Sequence, residues 1–417
     1  MGLIAFARAN ARWIGGAFLL TLFSSFGQTF FIGRSNAELR GLFGLTDGEF
    51  GLLYMTATLA SAATLPFLGR TLDHYRGYQV ARLVIPALAA SCLLLPFAPN
   101  VAVLGLALFG LSLFGQGMMS HVALTETGRW FAASRGRATS LVVPGFQAGE
   151  AVFPFAFFLV AGTLGWRYAW VGAAVLLVVV VLPVATRLLS VERTPEGRAE
   201  GPGGAPRDWT RGEVLRDPVF YALLVGVLAP PFIGTTVFFH QDYLTMLRGY
   251  PDHAFPAAFP LMAVTTVTFA LVCGGLVDRY GAVRLLPFFL IPLCVASLAV
   301  AGLDQAWGVY AFMVLFGVSY GFTSTLLGAL WPEVYGTKNL GGIRAVVVAA
   351  MVFSTAAGPG ITGLLIDRGV GLPTQMLGMA AWAAGGALVL AAASRRLAAR
   401  RGWVGTGGAV TPLRANT

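Results

Sequence analysis

Long apolar runs separated by short polar connections dominate the chain, and the runs are continuous rather than alternating with a period of two. A bilayer-spanning helix needs about 20 apolar residues, whereas a membrane strand shows alternation. Twelve runs meet the helical requirement, over 13–33, 49–69, 79–98, 101–123, 138–160, 167–186, 218–240, 255–276, 283–302, 307–330, 344–366 and 372–393. They are numbered here as spans 1 to 12. The pattern predicts an all-α membrane protein of twelve transmembrane helices in two pseudo-symmetric six-helix bundles.

Composition narrows the class. Hydrophobic residues make up 57% of the 417 positions and charged residues 11%, against about 25% charged in soluble domains. Disordered chains, fibrous proteins and nearly all water-soluble enzymes are thereby excluded. Cys92, Cys273 and Cys294 all fall inside apolar runs without metal-ligand spacing, so neither a metal site nor a disulfide framework is expected. No Walker A loop, catalytic set or cofactor motif is present, and no enzyme activity is expected.

The net charge of +10 would suggest nucleic acid in a soluble protein. Here it follows the topology instead. With the N-terminus inside, 23 of the 28 Lys and Arg residues fall on the inner side and 5 on the outer, the bias expected of cytoplasmic loops. Arg8 and Arg12 precede an apolar run that lacks a small-residue cleavage site, so it reads as an uncleaved first helix. The expected location is the inner (plasma) membrane with both termini cytoplasmic. The expected partners are a small-molecule substrate and membrane lipids, not nucleic acid, and the protein is expected to act as a monomer.

Residues 187–217 interrupt the pattern with twelve charged residues and Pro195, Pro202 and Pro206. The chain therefore divides into an N-terminal bundle (1–186), a cytoplasmic linker (187–217), a C-terminal bundle (218–396) and a flexible cytoplasmic tail (397–417). The halves echo one another. Gly69-x-x-x-Asp73 follows span 2 and Gly274-x-x-x-Asp278 follows span 8, an offset of 205; Arg137-Ala138 and Arg344-Ala345 recur at an offset of 207. A six-helix unit repeated in parallel underlies many secondary transporters, with the substrate site near the midplane between the halves.

These residues resemble the major facilitator superfamily, over residues 10–396. Its signature is a loop of the form G-x-x-x-D-R-x-G after helix 2, often echoed after helix 8. Gly274, Asp278, Arg279 and Gly281 fit the second copy. The first copy, Gly69, Asp73, His74, Arg76 and Gly77, carries His where Arg is usual, and its glycine comes one residue late. The resemblance implies alternating access. It also implies that the loop aspartates cap a neighbouring helix and pair with cations, latching the outward-facing state; Arg129, Arg137 and Arg344 join this gating set. The loop containing Arg129-Trp130-Phe131 and Arg135-Gly136-Arg137, with Gly165-Trp166-Arg167, is similar to oxalate/formate and monocarboxylate-type carriers. Span 8 lacks the arginine that monocarboxylate carriers place there, and Leu113 stands where drug–proton antiporters carry arginine.

An ionisable group at the bilayer centre costs about 2.5–3.5 kcal/mol on insertion scales, which makes it a functional candidate. Glu150 lies about 12 residues into span 5, roughly 18 Å deep at 1.5 Å per residue, and is either a proton-coupling site or a neutral, hydrogen-bonded group at a helix contact. Gln147 stands one turn before it. Gln28 and Gln116 are either cavity groups or helix–helix hydrogen bonders. His240, Gln241 and Asp242 close span 7, where His240 and Asp242 form either a titrating pair or ordinary interfacial polarity. Arg34, at the outer end of span 1, is either an anion-attracting group or a snorkelling interface residue, with the second reading favoured. His121 is expected near Glu126 and Arg129.

Two enzyme-like strings are decoys. Gly317-Val-Ser-Tyr-Gly321 spells a hydrolase elbow and Gly358-Pro-Gly-Ile-Thr-Gly363 a dinucleotide loop, but each lies inside an apolar span rather than at a strand–helix turn. The expected function is secondary active transport of a small organic solute by alternating access, with the proton as candidate coupling ion. The alternative is a proton-driven efflux pump for amphipathic compounds or drugs, and a non-translocating sensor is a third class.

Overall fold

The computed structural model describes residues 3–131, 134–191, 193, 208–336 and 339–400, with the backbone alone at 3, 4, 73, 135, 278 and 341. Residues 194–207 of the expected linker and the tail from 401 lie outside the described residues. Among the described residues, ten helices are long and apolar enough to cross a bilayer: Asp47–Gly69, Gly77–Leu94, Val101–Trp130, Gly136–Leu164, Trp166–Leu189, Pro218–Phe239, Ala254–Val277, Trp307–Tyr335, Gly342–Asp367 and Leu372–Arg400. They correspond to spans 2–8 and 10–12.

The other two are broken. Span 1 runs as Ala11–Gly27 and Thr29–Phe43, bent by 43°. Span 9 is not the continuous run over 283–302 that the pattern predicts. A short helix at Ala282–Leu285 is followed by turns and then by Ile291–Gly302. Pro287 and Pro292 lie at the interruption; each lacks a backbone N–H and crowds the carbonyl one turn earlier.

The two bundles share a layout. Arg12 donates to the carbonyls of Arg187 and Leu188, tying the start of span 1 to the end of span 6. Arg400 donates to both oxygens of Asp217, tying the end of span 12 to the start of span 7. These ends define a linker side, and the opposite face is the far side. Burial would by itself raise the pKa of the Asp217 carboxyl. The two Arg400 bonds, the Val219 amide and the Tyr335 hydroxyl outweigh that and hold it below the usual carboxylate range. As a side-chain cap, Asp217 also satisfies one of the free N–H groups at the start of span 7.

The halves meet through spans 2 and 11 and through spans 5 and 8. Glycine makes the first contact close. A Cβ at Gly51 would stand 2.6 Å from the Pro359 carbonyl oxygen, and one at Gly360 would stand 2.9 Å from Met55 Sδ. The second decoy string is therefore a packing surface, as small residues permit. The first is likewise one: a Cβ at Gly317 would stand 2.8 Å from the Met262 carbonyl oxygen, and Ser319 donates to the Phe289 carbonyl at 2.6 Å.

Candidate substrate cavity

Span 1 breaks where its sequence reads Ser24-Ser25-Phe26-Gly27-Gln28. Ser24 turns its hydroxyl back to the Thr21 carbonyl at 2.7 Å, residues 24–27 tighten into a 3-10 turn, and Gln28 is extended at φ −88°, ψ 151°. Gly27 permits the close approach of span 4 at the bend, because a Cβ there would collide with the Leu111 carbonyl oxygen and stand 2.7 Å from Gly115 Cα. The facing segment of span 4, Leu111–Met119, is wound as a π-helix. Such turns in otherwise α-helical spans are frequent at functional sites. The sequence pattern shows neither irregularity directly; the Ser-Ser-x-Gly run in mid-span was the available signal.

Between the halves at this level lies a cavity of about 570 Å³. The N-terminal half contributes Ser25, Gln28, Phe30, Gln116, Ser120, Phe146, Gln147 and Glu150. The C-terminal half contributes Tyr320, Thr323, Ser324, Trp331, Arg344 and Met351. Four sequence-predicted residues, Gln28, Gln116, Gln147 and Glu150, thus converge on one space. Glu150 is 8% exposed, and its Oε2 has no hydrogen-bond partner among the described residues. The neighbouring glycines on span 5 bring it close to span 1: a Cβ at Gly145 would stand 2.8 Å from the Phe18 carbonyl oxygen, and one at Gly149 would stand 2.8 Å from that of Leu22.

Sequence reasoning missed the C-terminal wall. Phe312, Phe316 and Tyr320 stack in succession at 5.5 Å centroid spacing, so the i, i+4, i+8 aromatic ladder was the signal for Tyr320. Arg344, expected among the gating cations, lines the cavity and donates one nitrogen to the Gly328 carbonyl at 2.8 Å.

The cavity is shut on the far side. Phe30 packs on Phe259, and Phe50 and Tyr54 pack on Phe239, with centroids 5.6, 5.3 and 4.7 Å apart. Several side-chain bonds that join the halves gather around this plug. Arg34 pairs with Asp242 at 3.2 Å, Asn36 donates to the Phe239 carbonyl at 2.8 Å, and Gln241 donates to the Phe30 carbonyl at 3.2 Å. Thr46 donates to Asp367 at 2.7 Å.

His240, Gln241 and Asp242 therefore sit in the plug and outside the cavity. His240 and Asp242 do not pair with one another. The fully buried His240 has Nε2 3.2 Å from the Pro359 carbonyl oxygen and Nδ1 3.7 Å from Asp47, while Asp242 takes Arg34. Their side chains leave neighbouring positions where a helix ends and another begins, which points them to different partners. Arg34 is an inter-half ion-pair partner rather than a free interface residue.

Of the gating set, the side chains of Asp73 and Asp278 lie outside the described residues. Gly69 packs on the His121 ring, 2.9 Å from a would-be Cβ, and Gly281 ends span 8 at φ 80°. Arg129 pairs with Glu126 at 3.3 Å. Arg76, Arg137 and Arg279 lie exposed on the linker side, with the Arg279 guanidinium 5.2 Å from the Tyr280 ring centroid.

Two six-helix bundles around a midplane cavity, shut at one end and lined where a span is broken, have the build of a secondary transporter. The chain matches the Major Facilitator Superfamily over residues 14–359, and it belongs to that family. Its fold is similar to that of a bacterial homolog to the human lysosomal transporter Spinster. The match to the inward-facing, unoccupied form has a TM-score of 0.65 at 15% identity, covering 94% of this chain and 95% of that one. The inward-facing, occupied form matches with the same score and identity over 95% of each chain.

Proposed function

We propose that this protein is a secondary active transporter that moves one small organic solute per cycle by alternating access, with Glu150 carrying a coupling proton. The observation that supports this reading is the placement of Glu150. It is a buried carboxyl with an unpartnered oxygen, in the wall of the cavity beside Gln147 and opposite Tyr320. A carboxyl in a cavity wall is a group that can gain and lose a proton during a cycle. The site can therefore pick up a proton on one side of the membrane and release it when the opposite side hydrates it. The amides and hydroxyls of Gln28, Gln116, Ser25 and Thr323 suit the polar part of a solute, and Phe30, Phe146, Trp331 and Met351 its apolar part.

In this reading the linker side is cytoplasmic, following the distribution of arginines, so the conformation described is inward-facing. The membrane is the plasma membrane, lipids are the surrounding partners, and one chain is the working unit, its halves 1–186 and 218–396 rocking about the cavity. The loop likeness to oxalate/formate-type carriers, together with Arg344 in the cavity wall, supports a small organic acid as substrate class. The apolar share of the wall favours a second reading, efflux of amphipathic compounds.

The test uses purified protein in proteoliposomes. Glu150→Gln should abolish pH-gradient-driven uptake while leaving substrate exchange measurable. Unchanged gradient-driven uptake removes Glu150 from the coupling. The direction of energised transport, with a resistance profile on expression, separates uptake from efflux.

A further inference from the structure

We propose that Asp367 is a positioning residue of the transport cycle, whose carboxylate on the C-terminal half caps the first turn of span 2 on the N-terminal half and so holds the far side shut. One oxygen of Asp367 takes two bonds across the interface, from the Thr46 hydroxyl at 2.7 Å and from the Gly48 amide at 2.9 Å. Gly48 is required for this approach, because a Cβ there would occupy the position of that oxygen.

Thr46 is already the N-cap of span 2. Its hydroxyl accepts from the Glu49 amide at 3.1 Å while the Glu49 side chain takes the Thr46 amide at 2.9 Å. That capping box leaves the Gly48 amide free and the Thr46 hydroxyl hydrogen available, and both go to the opposite half. A helix start carries partial positive charge and unsatisfied N–H groups, so an anionic acceptor there is favourable. These bonds exist only while the far side is closed.

The pairing of the two spans gives this contact a counterpart. Spans 2 and 11 pack side by side and antiparallel, so the end of each lies beside the start of the other. Asp367 is the last residue of span 11, and Asp73 follows four residues after Gly69, the last residue of span 2. By position, each helix brings an aspartate to the start of its neighbour. The Asp367 bond stands in the conformation described, with the far side shut. The inference concerns this closure and does not depend on the role of Glu150.

The test follows exposure of the interface in the full-length protein with Cys92, Cys273 and Cys294 replaced by alanine. Ala356, fully buried one turn before Gly360, is changed to cysteine and labelled with a membrane-impermeant maleimide in right-side-out vesicles. Asp367→Ala should raise the labelling rate several-fold, and Asp367→Asn should raise it less, because its amide oxygen keeps the two bonds without the charge. A second reporter, Ser324→Cys in the cavity, should label more slowly in the same variants in inside-out vesicles, which local unfolding would not produce. The proposal is overturned if neither variant labels faster than the parent at position 356, or if Asn matches Ala. Should Asp367→Ala fail to fold, the comparison of Asn with the parent decides alone.

Discussion

Arg34 and Asp242 lie 208 residues apart in the chain, and their side chains meet at 3.2 Å, one from each half of the molecule. Both are largely shielded, at 10% and 17% side-chain exposure, and Asp242 also faces Arg40 across a small polar hollow. Burial pushes the pKa of the Asp242 carboxyl up, and Arg34 and the Ala37 amide pull it back.

Removing one partner leaves the other charge desolvated and alone, which costs more than removing both. Arg34→Ala and Asp242→Ala should each shift the conformational equilibrium away from the closed far side by about 2 kcal/mol, near the lower end of the range for shielded pairs. The double variant should cost less than the sum. The check is a double-mutant cycle on far-side thiol accessibility, and strict additivity would show that the two groups do not act as a pair.

Glu150 has no stabilising partner at Oε2, so Glu150→Gln should leave the melting temperature unchanged or raise it slightly while removing gradient-driven transport. A structural carboxyl would behave in the opposite way, losing about 1–3 kcal/mol when altered. Thermal unfolding of the two proteins in detergent distinguishes these outcomes.

Gly27→Ala should be strongly destabilising, by about 1–3 kcal/mol as overpacking costs generally run, because the added methyl meets the backbone of span 4 rather than a movable side chain. Gly41→Ala is the matched control: nothing stands within 4 Å of a Cβ there. That helical, exposed position should gain about 0.5–1 kcal/mol. Melting temperature and the yield of monodisperse protein report both.

Asp217 sets an acid limit on stability. Its folded pKa is depressed, so its contribution is fully present above the unfolded value of about 3.9 and is lost as pH falls through the folded value. The parent should therefore lose melting temperature more steeply below about pH 4 than Asp217→Asn does. At pH 7, Asp217→Ala should cost about 1–2 kcal/mol from the lost cap. Parallel acid slopes in parent and Asn variant would show that Asp217 keeps its ordinary pKa.

The apolar pattern was enough to read the membrane fold, because a bilayer demands long apolar helices. Gln28, Gln116, Gln147 and Glu150 were legible for a related reason: amides and acids are costly inside apolar runs and stand out there. Other parts of the site left weaker traces. Thr323 and Ser324 are ordinary in membrane helices, so nothing separated them from packing groups, and Trp331 blends into an apolar run. The break at Gln28 and the π-helix opposite depend on one backbone resting against another, which no single segment encodes. The partner of Arg34 could not be read either, because the contact arises only when the halves come together. Span 9 differs from the continuous run because hydropathy does not register a break, whereas Pro287 and Pro292 lie at one in the structure.

The contact between spans 2 and 11 has a consequence for speed. Where Gly51 and Gly363 meet bare backbone, few side chains must disengage or change rotamer for one helix to slide on the other. The surface behaves as a smooth bearing, and friction is low along its length. The barrier to turnover is then concentrated in the few polar bonds and aromatic rings at the mouth, so small changes there should tune the rate without altering what is carried.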